Sequence, residues 1–151
     1  MQAATFQYLL EWTTKFHNHM ATCLEEGIDE QQDDCARWLM KYVAEHERTL
    51  ATEVEGFKRQ ADPKALKTWL YEHLTETLPP NDRRRLPFGT MTFDEIASEV
   101  VDVHNQIVNT YESMANKAAI PEAQDLMEQV LEAEQGVLRQ MADRISSSRE
   151  L

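Results

Sequence analysis

Four long stretches of the chain carry apolar residues at alternating steps of three and four, the seam pattern of helices in a left-handed bundle. The first spans about Thr5 to Glu26, with Phe6, Leu10, Thr13, His17, Met20 and Leu24 on one face. The second spans about Asp34 to Gln60, with Ala36, Met40, Val43, Glu47, Leu50, Val54 and Phe57. The third opens on Thr92 with Glu95 three residues later, a capping box, and runs to about Lys117. Its inward series is Phe93, Ala97, Val100, His104, Ile107, Tyr111 and Met114. The fourth begins at Pro121, a good first-turn residue, and carries Met127, Val130, Glu134, Val137 and Met141. No segment alternates in twos, so no strand is expected.

The connections fix the order of packing. Gly27 to Asp33 joins the first two helices, and a few residues near Ala119 join the last two. Short links make antiparallel neighbours. Between the second and third helices lies a crossover, about residues 61–91, opened by Asp62-Pro63 and closed by Pro79-Pro80 and Pro87-Phe88-Gly89. Lys64 to Leu78 within it reads as one short helix, with Leu66, Trp69, Leu70 and Leu74 on a face. The expectation is a single all-α domain over residues 1–151: two helical hairpins, about 5–60 and 92–148, joined by a long crossover containing a short helix.

The two hairpins look like copies of one ancestor. Shifting the sequence by 87 residues matches Thr5–Glu55 onto Thr92–Ala142 without a gap, with identities at 11 of 51 positions. Unrelated sequence of ordinary composition would give about three. The identities include Thr5/Thr92, Phe6/Phe93, His17/His104, Asn18/Asn105, Met40/Met127, Val43/Val130 and Glu47/Glu134. A duplicated hairpin is the natural source of such a repeat.

The repeat also singles out chemistry. His17, Glu47, His104 and Glu134 all interrupt apolar seams. Each His precedes its Glu by 30 residues, and the midpoints, residues 32 and 119, fall in the two hairpin turns. Both pairs should therefore sit at one height in the bundle. A lone carboxylate among Val, Leu and Met is expensive, so it must be neutral, paired or metal-bound. The quartet is read either as two hydrogen-bonded His–Glu pairs or as metal ligands. By ligand type, a two-metal site and a single zinc are both allowed. Asn18 and Asn105 are candidate partners orienting a ligand, or polar residues bonded to backbone. Tyr111 reads as a buried tyrosine with a bonded hydroxyl, and Glu45, Glu132, His19 and His46 as surface groups.

The stretch from His104 to Tyr111-Glu112 resembles the third-helix segment of the rubrerythrin and bacterioferritin branch of the ferritin-like superfamily, in which a ligand Glu precedes a Tyr by seven residues. The second and fourth helices resemble its ExxH helices, and the likeness covers nearly the whole chain. It implies a ferritin-like four-helix bundle and places Glu47 and Glu134 on the bridging glutamates, His17 and His104 on the terminal ones. The ExxH histidines are here Leu50 and Val137, so neither motif is intact. The resemblance implies an iron protein handling iron, dioxygen or peroxide. It leaves open iron (as a pair), zinc, or a metal-free bundle serving as a structural or partner-binding module.

Charge narrows the partners. A net charge of −12 repels phosphate backbones, so neither nucleic acid nor an anionic membrane is expected. No apolar run reaches the roughly 18 residues of a membrane span, and no signal peptide is read at Met1–Leu10, which suggests a cytoplasmic location. Arg83-Arg84-Arg85 reads as a solvated loop. Cys23 and Cys35, without CxxC spacing, read as buried reduced thiols. Apolar residues on the crossover, together with the resemblance, suggest a homodimer. No nucleophile–base pair, phosphate loop or zinc-protease motif appears.

Overall fold

The computed structural model describes residues 4–70 and 86–149. Four long helices form the bundle: α1 (Phe6–Gly27), α2 (Asp34–Gln60), α4 (Phe93–Lys117) and α5 (Pro121–Arg149), with a single turn, α3 (Pro63–Leu66), after α2. Each boundary has a local cause. Thr5 accepts a hydrogen bond from the Tyr8 amide and caps α1, and Asp33 caps α2 through the Ala36 amide. Thr92 and Glu95 close a complete capping box on α4 at 2.9 and 3.1 Å. The Thr5/Thr92 identity of the repeat is thus a pair of equivalent caps.

Helices α1 and α2 pack as one hairpin and α4 and α5 as the other, with α2 lying on α5 between them. The seams point inward throughout: every residue of the α1 series is buried, as are the α2 series to Val54, the α4 series from Ala97 and the whole α5 series. Only Phe57 and Phe93, at helix ends, are half-buried against that core.

Helix directions follow from paired contacts. Thr13 meets Tyr111, while one turn further along α1 His17 stacks on His104, seven residues back along α4. Helices α1 and α4 therefore run in opposite directions, which makes α2 and α4 parallel. The end of α2 and the start of α4 therefore lie at opposite ends of the bundle. Both ends of the connection between them are pinned. At the start, Thr68 accepts from the Phe6 amide (3.0 Å), and β1 (Ala4–Thr5) pairs antiparallel with β2 (Trp69–Leu70). At the other end, a 3-10 turn at Phe88–Thr90 packs against α1. There the buried Gln31 amide donates to the carbonyls of Phe88 and Met91, both at 3.0 Å.

Two expectations about the connection are corrected. Of the helix expected over Lys64–Leu78, the described part is helical only to Leu66, capped by Lys67, and Trp69–Leu70 is extended; residues 71–78 lie outside the described residues. The β1–β2 bridge is also a strand pairing where none was expected. Two residues are too few to show an alternation, and their partner lies at the other end of the sequence. Leu74, the Pro79-Pro80 breaker and Arg83–Arg85 lie outside the described residues. Among the described residues, no helix is long and apolar enough to cross a membrane.

Candidate metal centre

One residue from each long helix meets at mid-bundle: His17, Glu47, His104 and Glu134, all with no exposed surface. Each occupies a seam position, so the helical repeat that aims Val43 or Val130 at the core aims these polar groups there too. The sequence expectation that the quartet shares one level holds. The expected pairing holds only in part.

Glu47 is the hub. Its Oε2 lies 2.6 Å from Nδ1 of His17, and its Oε1 lies 2.7 Å from Nε2 of His104. The other ring nitrogens point away to separate partners. Nε2 of His17 is 2.6 Å from Oε1 of Glu134. Nδ1 of His104 is 2.8 Å from the Val100 carbonyl oxygen, one turn back on the same helix. The second within-hairpin pair, His104 with Glu134, is thus replaced by contacts between hairpins. The reason is local: once His104 bonds its own backbone through Nδ1, only Nε2 remains, and it faces Glu47.

Hydrogen-bond roles follow from the chemistry. A carbonyl only accepts, so Nδ1 of His104 carries a proton. His17 sits between two carboxylates and satisfies both only as an imidazolium donating from both nitrogens. Burial alone would depress its pKa. The charges of Glu134 and Glu47 and their hydrogen bonds outweigh burial and hold it up at about 10. For Glu47 burial pulls upward, but the charges and hydrogen bonds of His104 and His17 bring its pKa down to about 2. His104 is raised as well: burial opposes its charge, and Glu47 more than compensates.

The layer is not fully satisfied. Nε2 of His104 and Oε1 of Glu47 face each other at 2.7 Å as a buried ion pair, and Oε2 of Glu134 is buried without a hydrogen-bond partner among the described residues. Orphaned polar atoms in a core are costly and call for an explanation. Donor atoms of His17, Glu47 and His104 lie within 4.8 Å of one another, a separation compatible with a shared cation.

The neighbours are apolar or differently engaged. Leu50 and Val137, one turn beyond the two glutamates, are buried hydrophobes. Tyr111 is buried, with its oxygen 2.5 Å from Oγ1 of Thr13. Thr13 donates to the Leu9 carbonyl (2.8 Å), so the tyrosine hydroxyl is the donor in that contact. Burial, with the nearby charge of Glu134, pushes the phenol well above its ordinary range. Tyr111 is therefore a bonded core tyrosine, as its seam position suggested.

Other candidates fall away from the centre. Asn18 accepts from Arg48 (3.0 Å), which also reaches Thr22 and Glu25, and Asn105 is exposed; neither orients a quartet side chain. Glu45 and Glu132 are exposed. His46 stands edge-on to Tyr42 and His19 lies 3.6 Å from Cys23, both half-buried near the surface. Cys23 is buried as expected, whereas Cys35 is exposed, and both thiols are free. Cys35 sits in the first turn of α2, on its solvent side. The Val100 carbonyl was missed. A His in a helix interior can bond the carbonyl four residues back, but sequence does not say which histidine will do so. No protein-family model matches the chain, and no curated protein or solved structure matches it either.

Proposed function

We propose that this chain is a ferritin-like bundle whose mid-bundle His/Glu layer binds a divalent transition metal, iron or zinc. The observation that carries the reading is the convergence of donor atoms from His17, Glu47 and His104, all fully buried, within 4.8 Å of one another. Imidazole nitrogen and carboxylate oxygen suit iron and zinc alike. The duplicated hairpins, the long connection and the parallel α2 and α4 support the ferritin-like assignment. Iron, dioxygen or peroxide handling is the activity that assignment implies. The usual di-iron ligand set does not fit, because buried Leu50 and Val137 replace both ExxH histidines.

A second reading has its own support. His17 bridges two carboxylates at 2.6 Å on each side and His104 faces Glu47 at 2.7 Å, so two imidazoliums and two carboxylates balance in charge without any ion. In that case the bundle is a metal-free structural or partner-binding module, and the layer serves specificity of packing.

Thermal unfolding separates the two. A ligand bound only by the native state at a hundredfold excess over Kd adds about 2.7 kcal/mol. For a chain of this size that raises Tm by roughly 5–10 °C. Anaerobic Fe(II), Zn(II) or Mn(II) should produce such a rise, and elemental analysis of the purified protein should find the metal. No rise with any of the three would leave the metal-free layer as the function of the quartet.

The proposal includes a cytoplasmic homodimer. Tyr8 and Trp69, each more than half exposed, lie by the β1–β2 ribbon and offer apolar contact area. A monomer mass by sedimentation at micromolar concentration would remove the dimer from the reading.

A further inference from the structure

The metal-binding reading leaves open how many ions the layer holds and which carboxylate binds them. The four ring nitrogens answer both questions. Each histidine has one nitrogen committed to an outer partner and one facing Glu47. His17 keeps Nε2 on Glu134 and turns Nδ1 to Glu47. His104 keeps Nδ1 on the Val100 carbonyl and turns Nε2 to Glu47. A histidine that ligates a metal through one nitrogen characteristically donates its other N–H to a carboxylate or a backbone carbonyl. Both histidines here are held in that way, by one partner of each kind.

We infer that the layer is a mononuclear site with His17 Nδ1, His104 Nε2 and Glu47 as ligands, and that Glu134 is a positioning residue holding His17 through Nε2. This rests on the metal-binding reading and departs from the bridging role that the family resemblance implies for Glu134. Three observations favour one ion over two. The three ligand residues form the mutually close group, within 4.8 Å, and Glu134 is not part of it. Leu50 and Val137 supply no further nitrogen for a second ion. Glu134 already spends one oxygen on His17, on the side away from Glu47. Two histidines and one carboxylate leave coordination positions open to water or a small substrate, the ligand set of non-haem Fe(II) oxygenases and of several zinc hydrolases.

The test is a stoichiometric titration of the full chain with Zn(II), and anaerobically with Fe(II), read by elemental analysis after desalting. Co(II) absorption gives a second, spectroscopic count. One equivalent is expected. Glu47→Gln and His104→Ala should lose binding. Glu134→Gln should keep one equivalent with affinity reduced about 10–100-fold, the usual effect of disturbing an outer partner. Two equivalents in the parent protein would overturn the inference and leave the metal reading standing. So would loss of binding in a folded Glu134→Gln with retention in Glu47→Gln. No binding of any of the three ions would sink both. The parent stoichiometry needs no variant, so misfolding of a mutant cannot hide the outcome.

Discussion

Nδ1 of His104 lies 2.8 Å from the carbonyl oxygen of Val100, whereas Nδ1 of His17, 87 residues earlier in the chain, turns to Glu47. His17 occupies the matching position of the first repeat, yet position 13 there is Thr, and its hydroxyl is already engaged with Leu9 and Tyr111. His17 bridges two carboxylates, whereas His104 is tethered to its own helix.

Without metal, the layer should make stability depend on pH from both sides. The folded pKa of His17 is raised from 6.5 to about 10. Its contribution is complete below pH 6.5 and disappears as pH rises through about 10. The folded pKa of Glu47 is lowered from 4.5 to about 2, so its contribution is complete above pH 4.5 and disappears as pH falls through about 2. The difference in unfolding free energy between the parent and Glu47→Gln, in chelator, should therefore peak at pH 4.5–6.5. A difference that is flat from pH 3 to 10 would contradict the ionised layer.

Much of this was legible in the sequence because it rests on periodicity. The seams, caps and turns are local, and the identities at a shift of 87 residues include both quartet pairs, His17/His104 and Glu47/Glu134. The crossover was less legible. Trp69–Leu70 continues an apolar helical pattern, but its pairing with Ala4–Thr5 is a long-range contact that no window of sequence contains. The exchange of partners within the quartet was hidden for a similar reason. Residue spacing sets the level at which His104 sits, while rotamer and tautomer decide whether it meets Glu134 or Glu47.

The Thr13–Tyr111 contact offers a clean coupling measurement. Tyr111→Phe removes one neutral hydrogen bond and leaves Thr13 bonded to Leu9. The expected loss is about 0.5–1.5 kcal/mol. Thr13→Val strands a buried phenol hydroxyl and should cost about 1–3 kcal/mol. The double variant should cost less than the sum of the two, by at least about 0.5 kcal/mol. Strict additivity by urea denaturation would mean the hydroxyls do not interact.

The glycines divide into two classes that mutation should distinguish. A Cβ on Gly27 would sit 2.8 Å from the Gly89 nitrogen, and one on Gly89 would meet the Gly27 oxygen at 2.9 Å. Both clashes are with backbone at the point where the connection from α2 to α4 touches α1. Alanine at either site should destabilise by roughly 1–3 kcal/mol. Gly56 and Gly136, inside α2 and α5, have open space around the added carbon. Alanine there should stabilise by about 0.5–1 kcal/mol through helix propensity. Equal responses at Gly89 and Gly56 would show that the contact between α1 and the 3-10 turn does not form.

The strongest non-additivity is expected in the quartet itself. Glu47→Leu removes the shared partner of two buried histidines, and breaking a buried ion pair from one side costs about 3–5 kcal/mol. Replacing all four residues with Leu removes the whole ionic network at once and leaves no charge without its partner. Apolar replacement of a whole buried ionic network is often neutral, or stabilising by about 1–4 kcal/mol. The fourfold variant should therefore unfold at a higher urea concentration than Glu47→Leu, and at least as high as the metal-free parent. Its response to Zn(II) or Fe(II) should be absent, because no donor remains at mid-bundle. A fourfold variant less stable than Glu47→Leu would mean that the layer is held by packing these side chains alone provide, rather than by charge balance among them.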